Sequence, residues 1–383
     1  MSDPCAVADV IEAMEAHYPP ELAEDWDRIG LVCGDPAAQV RRVLLVIDVT
    51  DDTVAQAVAT GADVLIAHHP LLLRGVHSVA TTTPKGRLLH KLIAANVALY
   101  VAHTNADSAN PGVSDALAAV LGLSPRSLAP LQQVESVPLD KFSTTVPPQH
   151  VQRVLDALCL AGAGWGGGEY QRCAFFAEGT GTFVPSAAAN PAVGERGRIN
   201  LVPELRLDTV MPRSKRREVI QALRKSHPYE EPAFDVIELA PRATDTGLGR
   251  VGDLCAPVSL RAFAAQVAAE LPSTPVGVRA AGNPARDIIR VAVAGGAGDG
   301  LLSAAAAAGA DVFVTADLRH HVVSEFVSTG MEGDAPALID AGHWATERPW
   351  LDQAARLLRA HCGEAVRIEV SNLVTDPWTV RMP

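Results

Sequence analysis

The stretch Asp63-Val-Leu-Ile-Ala-His68-His69-Pro70 runs an apolar strand directly into two adjacent imidazoles and then stops at a proline. Neutral imidazole is a common ligand of divalent cations, and ligands of open α/β sheets collect beyond the carboxyl ends of the strands. Successive strand residues point to opposite faces, so His68 and His69 either serve different ions or send one ring to the core. Two further strands end in the same chemistry. Tyr100-Val-Ala-His103 is followed by Asp107, and Ile339-Asp-Ala-Gly-His343 by Glu347, each a His-x-x-x-acid pair. Read singly, each His caps a strand and each acid favours the start of the next helix. Read together, imidazoles and carboxylates in this number suit Zn, Fe, Mn or Co, with enough groups for two ions where one carboxylate bridges. Asp317, His320 and His321 are candidates for supporting the ligands or facing a substrate, with plain surface histidines as the alternative.

The elements that must position these groups alternate. Strand Val43 to Val49, helix Asp51 to Thr60, strand Val64 to Ala67, helix Pro84 to Ala95 and strand Val97 to Ala102 predict a parallel sheet with right-handed crossovers. A short amphipathic helix is expected from Asp3 to Met14, with Asp3 as cap and Pro4 at its first position. Glu24-Asp-Trp-Asp-Arg-Ile-Gly-Leu31 reads as a surface loop anchored by Trp26 and Ile29. The rhythm returns late in the chain. Arg290-Val-Ala-Val-Ala and Gly309-Ala-Asp-Val-Phe-Val-Thr315 parallel Arg42-Val-Leu-Leu-Val and Gly61-Ala-Asp-Val-Leu-Ile-Ala67 at a constant offset of 248 (290 − 42 and 309 − 61). Two related α/β lobes follow, with an insertion between them.

The insertion reads strand (Phe142 to Val146), helix (Gln149 to Leu160), strand (Cys173 to Val184), strand (Glu204 to Met211), helix (Arg216 to Lys225), strand (Phe234 to Leu239). That is the β-α-β-β-α-β order of a ferredoxin-like α+β unit. Pro185 to Gly197 is expected to be an exposed loop, Gly164-Trp-Gly-Gly-Gly168 a turn, and Arg213-Ser-Lys-Arg-Arg217 a solvated face. The expected division is 1–130 first lobe, 131–245 insertion and 246–383 second lobe. Gly295-Gly-Ala-Gly298-Asp-Gly300 follows a strand, but its spacing is not that of a dinucleotide or P-loop motif, so a tight turn is expected.

Composition narrows the classes. The 383 residues are 48% hydrophobic, enough for a full core, and the formal net charge of −12 argues against a general nucleic-acid or anionic-membrane binder. The six cysteines show no Cys-x-x-Cys spacing and are read as reduced. No run of about 18 apolar residues and no signal-peptide pattern occurs, so a cytoplasmic protein is expected.

Five stretches resemble a known family. Glu24-Asp-Trp-Asp-Arg-Ile-Gly-Leu31, Ala67-His-His-Pro70, His103-Thr-Asn-Ala-Asp107, His227-Pro-Tyr-Glu-Glu-Pro-Ala-Phe-Asp235 and Gly342-His-Trp-Ala-Thr-Glu347 are similar, nearly end to end, to the NIF3-like family of dinuclear-metal proteins, the GTP cyclohydrolase 1 type 2 homologues. The resemblance implies two α/β lobes in one discontinuous domain, a PII- or CutA-like insertion, two divalent cations per subunit and a toroidal homohexamer. It puts metal binding on His68, His69, Asp107, His343 and Glu347, with His103 close by. The function expected is metal-dependent hydrolysis of a small nucleotide-like or phosphorylated substrate, with Glu347 bridging and His103 or His321 moving protons. The alternative is a non-catalytic metal-binding or regulatory scaffold in which the insertion senses a ligand.

Overall fold

The computed structural model describes residues 5–134, 137–165, 170–241, 244–329 and 335–382. The chain begins with α1 (Val7–His17), β1 (Gly30–Cys33), β2 (Arg42–Val46), α2 (Asp51–Thr60), β3 (Val64–Ala67), α3 (Pro84–Ala94), β4 (Ala98–Val101), α4 (Thr104–Ser108), α5 (Val113–Val120) and β5 (Ala129–Gln133). It continues through β6 (Leu139–Val146), α6 (Val151–Leu160), β7 (Ala174–Phe183), β8 (Asn200–Pro212), α7 (Arg216–Ser226) and β9 (Phe234–Glu238). The last part holds β10 (Gly247–Ser259), α8 (Leu260–Glu270), β11 (Arg279–Ala281), β12 (Asp287–Ala297), α9 (Leu302–Ala307), β13 (Val312–Ala316), α10 (His320–Thr329), β14 (Ala337–Asp340), α11 (His343–Cys362) and β15 (Arg367–Val370). These elements fall into two compact units, Met1–Val134 with Asp245–Pro383, and Glu135–Thr244.

The first unit contains two sheets, ordered β1-β4-β3-β2-β15 and β11-β14-β13-β12-β10-β5. Strands β15, β2, β3 and β4 are mutually parallel, as are β12, β13 and β14. Alternation assigns their faces. Val43, Leu45, Val64, Ile66, Ala98 and Tyr100 share a core with α1, α5 and α11, while their neighbours Leu44, Val46, Leu65 and Leu99 pack on α2 and α3. The second sheet behaves likewise: Val291, Val293, Val312 and Val314 join the same central core, and Ala292, Ala294, Phe313 and Leu338 face α9 and α10. Helices α1, α5 and α11 are therefore packed between the two mixed sheets, which explains why the parallel strands of both read as continuous apolar runs.

The repeated Gly-Ala-Asp has a local cause. Gly61 and Gly309 end helices α2 and α9 with φ of 66° and 68°, a left-handed turn that glycine adopts without steric cost. Two residues on, the Asp63 carboxylate accepts from the amides of Arg41 and Arg42, and Asp311 accepts from those of Ile289 and Arg290. Each aspartate thus ties the start of one parallel strand to its neighbour.

The second unit is a four-stranded antiparallel sheet, ordered β7-β8-β6-β9, with α6 and α7 packed on Phe142, Val146, Leu207 and Met211. Its basic helix start is not a free solvated face. Arg213 and Arg216 donate to Asp140, which is fully buried, at 3.1 and 2.7 Å, because a buried carboxylate needs charged donors.

Several boundaries differ from expectation. The expected cap Asp3 and the Pro4 beside it lie outside the described residues, as do 166–168 of the glycine run; α1 begins at Val7. Trp26 is not an anchor, being 55% exposed, and Gly30–Cys33 forms an edge strand antiparallel to β4. Residues 295–297 extend β12 instead of turning. Among the described residues no helix is long and apolar enough to cross a membrane.

The layering makes a direct prediction. Leu44 and Leu45 are adjacent yet both buried, on opposite faces of β2. Leu44→Ala and Leu45→Ala should each cost about 2–5 kcal/mol of unfolding free energy, read by chemical denaturation. A cost near zero for either would mean that one face of the sheet is not packed.

Candidate metal centre

The chemical groups lie just past the carboxyl ends of five parallel strands. Asp48 follows β2, His68 and His69 follow β3, His103 follows β4, Asp317 follows β13, and His343 with Glu347 opens α11 after β14. The β3 ladder carries on past its last strand residue, since the amides of His68 and His69 donate to Val46 and Ile47 carbonyls. This leaves little freedom in where the two rings start.

Each of four imidazoles is held by its Nδ1. His68 Nδ1 donates to the Ala102 carbonyl at 2.9 Å, His69 Nδ1 to Asp48 at 2.7 Å, His103 Nδ1 to Asp27 at 2.9 Å, and His343 Nδ1 to Asp317 at 2.7 Å. A carbonyl or carboxylate only accepts, so each Nδ1 carries the proton and each Nε2 presents a lone pair when the ring is neutral. The Nε2 atoms converge. His343 Nε2 lies 3.2 Å from His69 Nε2 and 3.0 Å from Glu347 Oε1; His69 Nε2 lies 3.1 Å from Glu347 Oε2; His68 Nε2 lies 3.6 Å from Glu347 Oε1 and 3.7 Å from Asp107 Oδ1. The His103 ring stands 5.2 and 5.6 Å from those of His68 and His69.

The holding carboxylates are themselves secured. Asp27 is buried and also accepts from the Thr104 amide and hydroxyl and the Arg28 amide, which pins the turn beneath Trp26 to the start of α4. Asp340, at the end of β14, accepts from the amides of Leu318 and Gly342 and from Arg279, joining the turns that carry Asp317 and His343. Asp317 has a left-handed φ of 57°, a conformation uncommon outside glycine and better tolerated by Asp and Asn.

The glycine-rich stretch also has a reason here. Gly296, with φ 67°, passes so close to the carboxylate that a Cβ would come within 2.3 Å of Glu347 Oε1 and 3.1 Å of His343 Nε2. Its amide donates to the Thr346 hydroxyl and its carbonyl accepts from Thr315.

Electrostatics bind the set together. Burial alone would raise the Glu347 carboxyl, but His69, His343 and His68 hold it well below the usual carboxylate range. Burial opposes the charged form of His343 too, yet Glu347 and Asp317 outweigh it and the group is pushed up to about 10. The His69 imidazole is raised by Glu347 and Asp48 against the same opposition, and His68 by Glu347 and Asp107. Asp107 moves upward because burial dominates the pull of His68 and His103.

A metal fits these residues. His68 Nε2 is buried with no hydrogen-bond partner among the described residues, and Glu347 Oε2 is buried facing only the His69 Nε2 edge at 3.1 Å among the described contacts, a costly state that a coordinated cation relieves. Two groups of donor atoms, from His68, His69 and His103 and from His69, His343 and Glu347, each lie within 4.8 Å of one another. The donors are imidazole and carboxylate, suited to transition metals.

His320 and His321 sit apart. Both are exposed at the start of α10, with their rings paired at 5.3 Å, and none of the described contacts of the cluster includes them. Sequence reasoning missed Asp48 and Asp27 as ring holders. The available signal for Asp48 was an acid ending the apolar run of β2 beside the strand that carries His69.

The fold and cluster define a mixed α/β protein with a candidate metal centre at its strand ends. The chain belongs to the Duf34/NIF3 (NGG1p interacting factor 3) family, whose model matches residues 5–377. A Mycobacterium leprae relative is 48% identical over 375 residues, covering 98% of this chain and 95% of its own; a Bacillus subtilis relative is 38% identical over 373 residues, covering 97% of each. Both are called GTP cyclohydrolase 1 type 2 homolog. The crystal structure of a Bacillus cereus protein related to NIF3 aligns with TM-score 0.69 at 36% identity over 99% of this chain and 100% of its own. A Staphylococcus aureus structure aligns with TM-score 0.79 at 29% identity over 99% of both chains.

The raised imidazoles set a pH dependence. In the metal-free protein His343 holds its proton up to about pH 10 and His69 above the ordinary range, whereas a ligand imidazole must be neutral. Divalent-metal binding at pH 7 should therefore release protons, and affinity should climb as pH rises toward the folded-state values. Calorimetry in two buffers of different ionisation enthalpy measures the release. Binding without proton release would contradict these shifts.

Proposed function

We propose that this protein holds two divalent cations, Zn, Fe, Mn or Co, on His68, His69, His103, Asp107, His343 and Glu347, and hydrolyses a small nucleotide-like or phosphorylated substrate. The observation that carries the hydrolytic reading is the asymmetry of exposure. The side chains of His68 and Glu347 are 0% and 4% exposed, while those of His69 and His343 are 24% and 33% exposed. Solvent reaches the His69 and His343 side of the site, the access that an exchanging water or substrate needs and that a sealed structural site lacks. When bound, such ions supply Lewis acidity that polarises a substrate bond and acidifies water.

The chain's own residues divide the work. Glu347 turns one oxygen toward His68 and His343 and the other toward His69, which supports it as the carboxylate shared by both ions. Asp48, Asp27, Asp317 and the Ala102 carbonyl orient the rings. His103, held through Nδ1 like the others, is better read as a ligand than as a free proton carrier, and exposed His321 has no support for that role. The relatives' name makes GTP the first nucleotide to test.

We propose a ferredoxin-like insertion for the second unit, residues 135–244 rather than the 131–245 expected, since β5 through Gln133 pairs with β10 in the first unit; the β-α-β-β-α-β succession and the strand order β7-β8-β6-β9 support it. A toroidal homohexamer is proposed on the family resemblance alone.

Saturated protein should carry two ions per chain by elemental analysis. Any metal-dependent hydrolysis should fall at least about 100-fold in Glu347→Gln, more steeply than bound metal does, because a neutral amide cannot balance two cations. One ion or fewer at saturation would overturn the dinuclear set. Full rate with two ions in the variant would remove Glu347 from the shared position. A wild type inactive on a broad panel of nucleotides and phosphoesters would leave the scaffold reading in its place.

A further inference from the structure

The four rings are not secured equally. The acceptor of His68 is a backbone carbonyl at the end of β4, and Asp27 behind His103 has several donors close in the fold. Asp48 behind His69 is different. Its Oδ1 accepts from His69 Nδ1, and its Oδ2 accepts from the hydroxyl of Thr375, a residue 327 positions away in the segment that follows β15.

That segment is seated at several points around the cluster. Ser371 is buried, its amide donating to Leu45 O at 2.9 Å and its hydroxyl to Gln56 at 2.6 Å. Asn372 accepts from Arg348 of α11, the residue after Glu347, at 3.4 Å. Asp376 is buried and its carboxylate accepts from the Trp378 amide at 2.8 Å, closing a tight turn directly after Thr375. Further on, the Arg381 guanidinium lies over Gly277, where a Cβ would come within 2.3 Å of its Nη1. Gly277 closes the turn from Thr274, and Thr274 and Val276 pack on Gly342, the residue before His343. The segment therefore runs as a strap from the end of the first sheet, touching Asp48 behind His69 directly, Arg348 next to Glu347, and, through Arg381, the turn that packs on Gly342 before His343.

We infer that Thr375 is a positioning residue for His69, acting through Asp48, and that seating of the strap 371–378 and loading of the candidate metal centre are coupled. This rests on the metal reading above. Removing the hydroxyl leaves Asp48 Oδ2 without this donor and frees the carboxylate to turn, so His69 Nε2 loses its fixed direction. Groups that orient ligating imidazoles in this way change metal affinity by about 10- to 100-fold. Coupling is reciprocal: whatever the seated strap adds to metal affinity, bound metal adds to seating of the strap.

The test uses the full chain, stripped of metal, with zinc as the probe. Zinc dissociation constants are measured by chelator competition for wild type, Thr375→Val and Thr375→Ser, and hydrogen exchange of the strap amides is followed with and without zinc. The expected result is affinity weakened about 10- to 100-fold in Thr375→Val, restored in Thr375→Ser, and strap exchange slowed by zinc in wild type but not in Thr375→Val. The exchange arm stands on wild type alone, so a poorly folding variant does not remove the test. Zinc binding by wild type with an unchanged constant in Thr375→Val, or with strap exchange indifferent to zinc, overturns the inference. Failure of wild type to bind zinc overturns the metal reading itself, a distinguishable result.

Discussion

The structure of the site depends on one repeated interaction, an imidazole Nδ1–H donated to an oxygen that only accepts. It occurs at His68, His69, His103 and His343, with acceptors from a carbonyl and three different aspartates. Once each Nδ1 is committed, ring rotation is restricted and the free edge, Nε2, is aimed. The consequence is electrostatically demanding: His69 and His343 bring their Nε2 atoms to 3.2 Å, beside a Glu347 carboxylate that is almost wholly buried. Without cations, protons must fill that role, which is why the imidazoles are raised and Glu347 is depressed. A polar set of this kind is costly to bury unless its members neutralise one another, and cations held between the Nε2 atoms and the Glu347 carboxylate would do so.

The architecture supplies the aim. Parallel strands place their carboxyl ends on one edge, and two sheets flanking a shared layer of helices bring two such edges together. Helix α11 is the connecting member, since Trp350, Leu351, Ala354 and Leu358 sit in the central core while its first turn carries His343 and Glu347. Trp350 is fully buried and its ring lies 5.1 Å from that of His68, so the packing of the helix and the placement of the first lobe's histidine are the same contact. Gly296 shows how tight this register is, because only a missing Cβ lets β12 pass beside Glu347.

Much of this was legible in the chain. Apolar runs ending in histidine marked strands β3 and β4 and the edge where ligands gather, and the 248-residue offset marked a second set of parallel strands, where Asp311 ties neighbouring strands as Asp63 does. At the same 248-residue offset (317 − 69) Asp317 stands where the first copy has His69, so the copies differ chemically, and the structure uses Asp317 to hold His343. What was not legible came from contacts that no local pattern encodes. Asp48 looks like a strand-end acid until Thr375 and His69 arrive from distant segments. Arg213 and Arg216 look like surface charge because Asp140, the buried partner, lies in a different strand. Gly295-Gly-Ala-Gly298 looks like a turn because sequence spacing cannot tell a bend from a strand flattened against a carboxylate. His320 and His321 have the right chemistry but stand exposed at the start of α10, paired with each other, a placement that residue type alone does not encode.

The most direct measurement is anomalous diffraction from crystals of the protein loaded with a divalent transition metal. Two peaks are expected, each about 2.0–2.2 Å from imidazole Nε2 and carboxylate oxygens, with Glu347 reaching both and every Nδ1 still on its oxygen acceptor. Metal found on Nδ1, a peak away from these residues, or no peak at all would contradict the proposal that the four oxygen-held rings aim their Nε2 atoms at a pair of divalent cations.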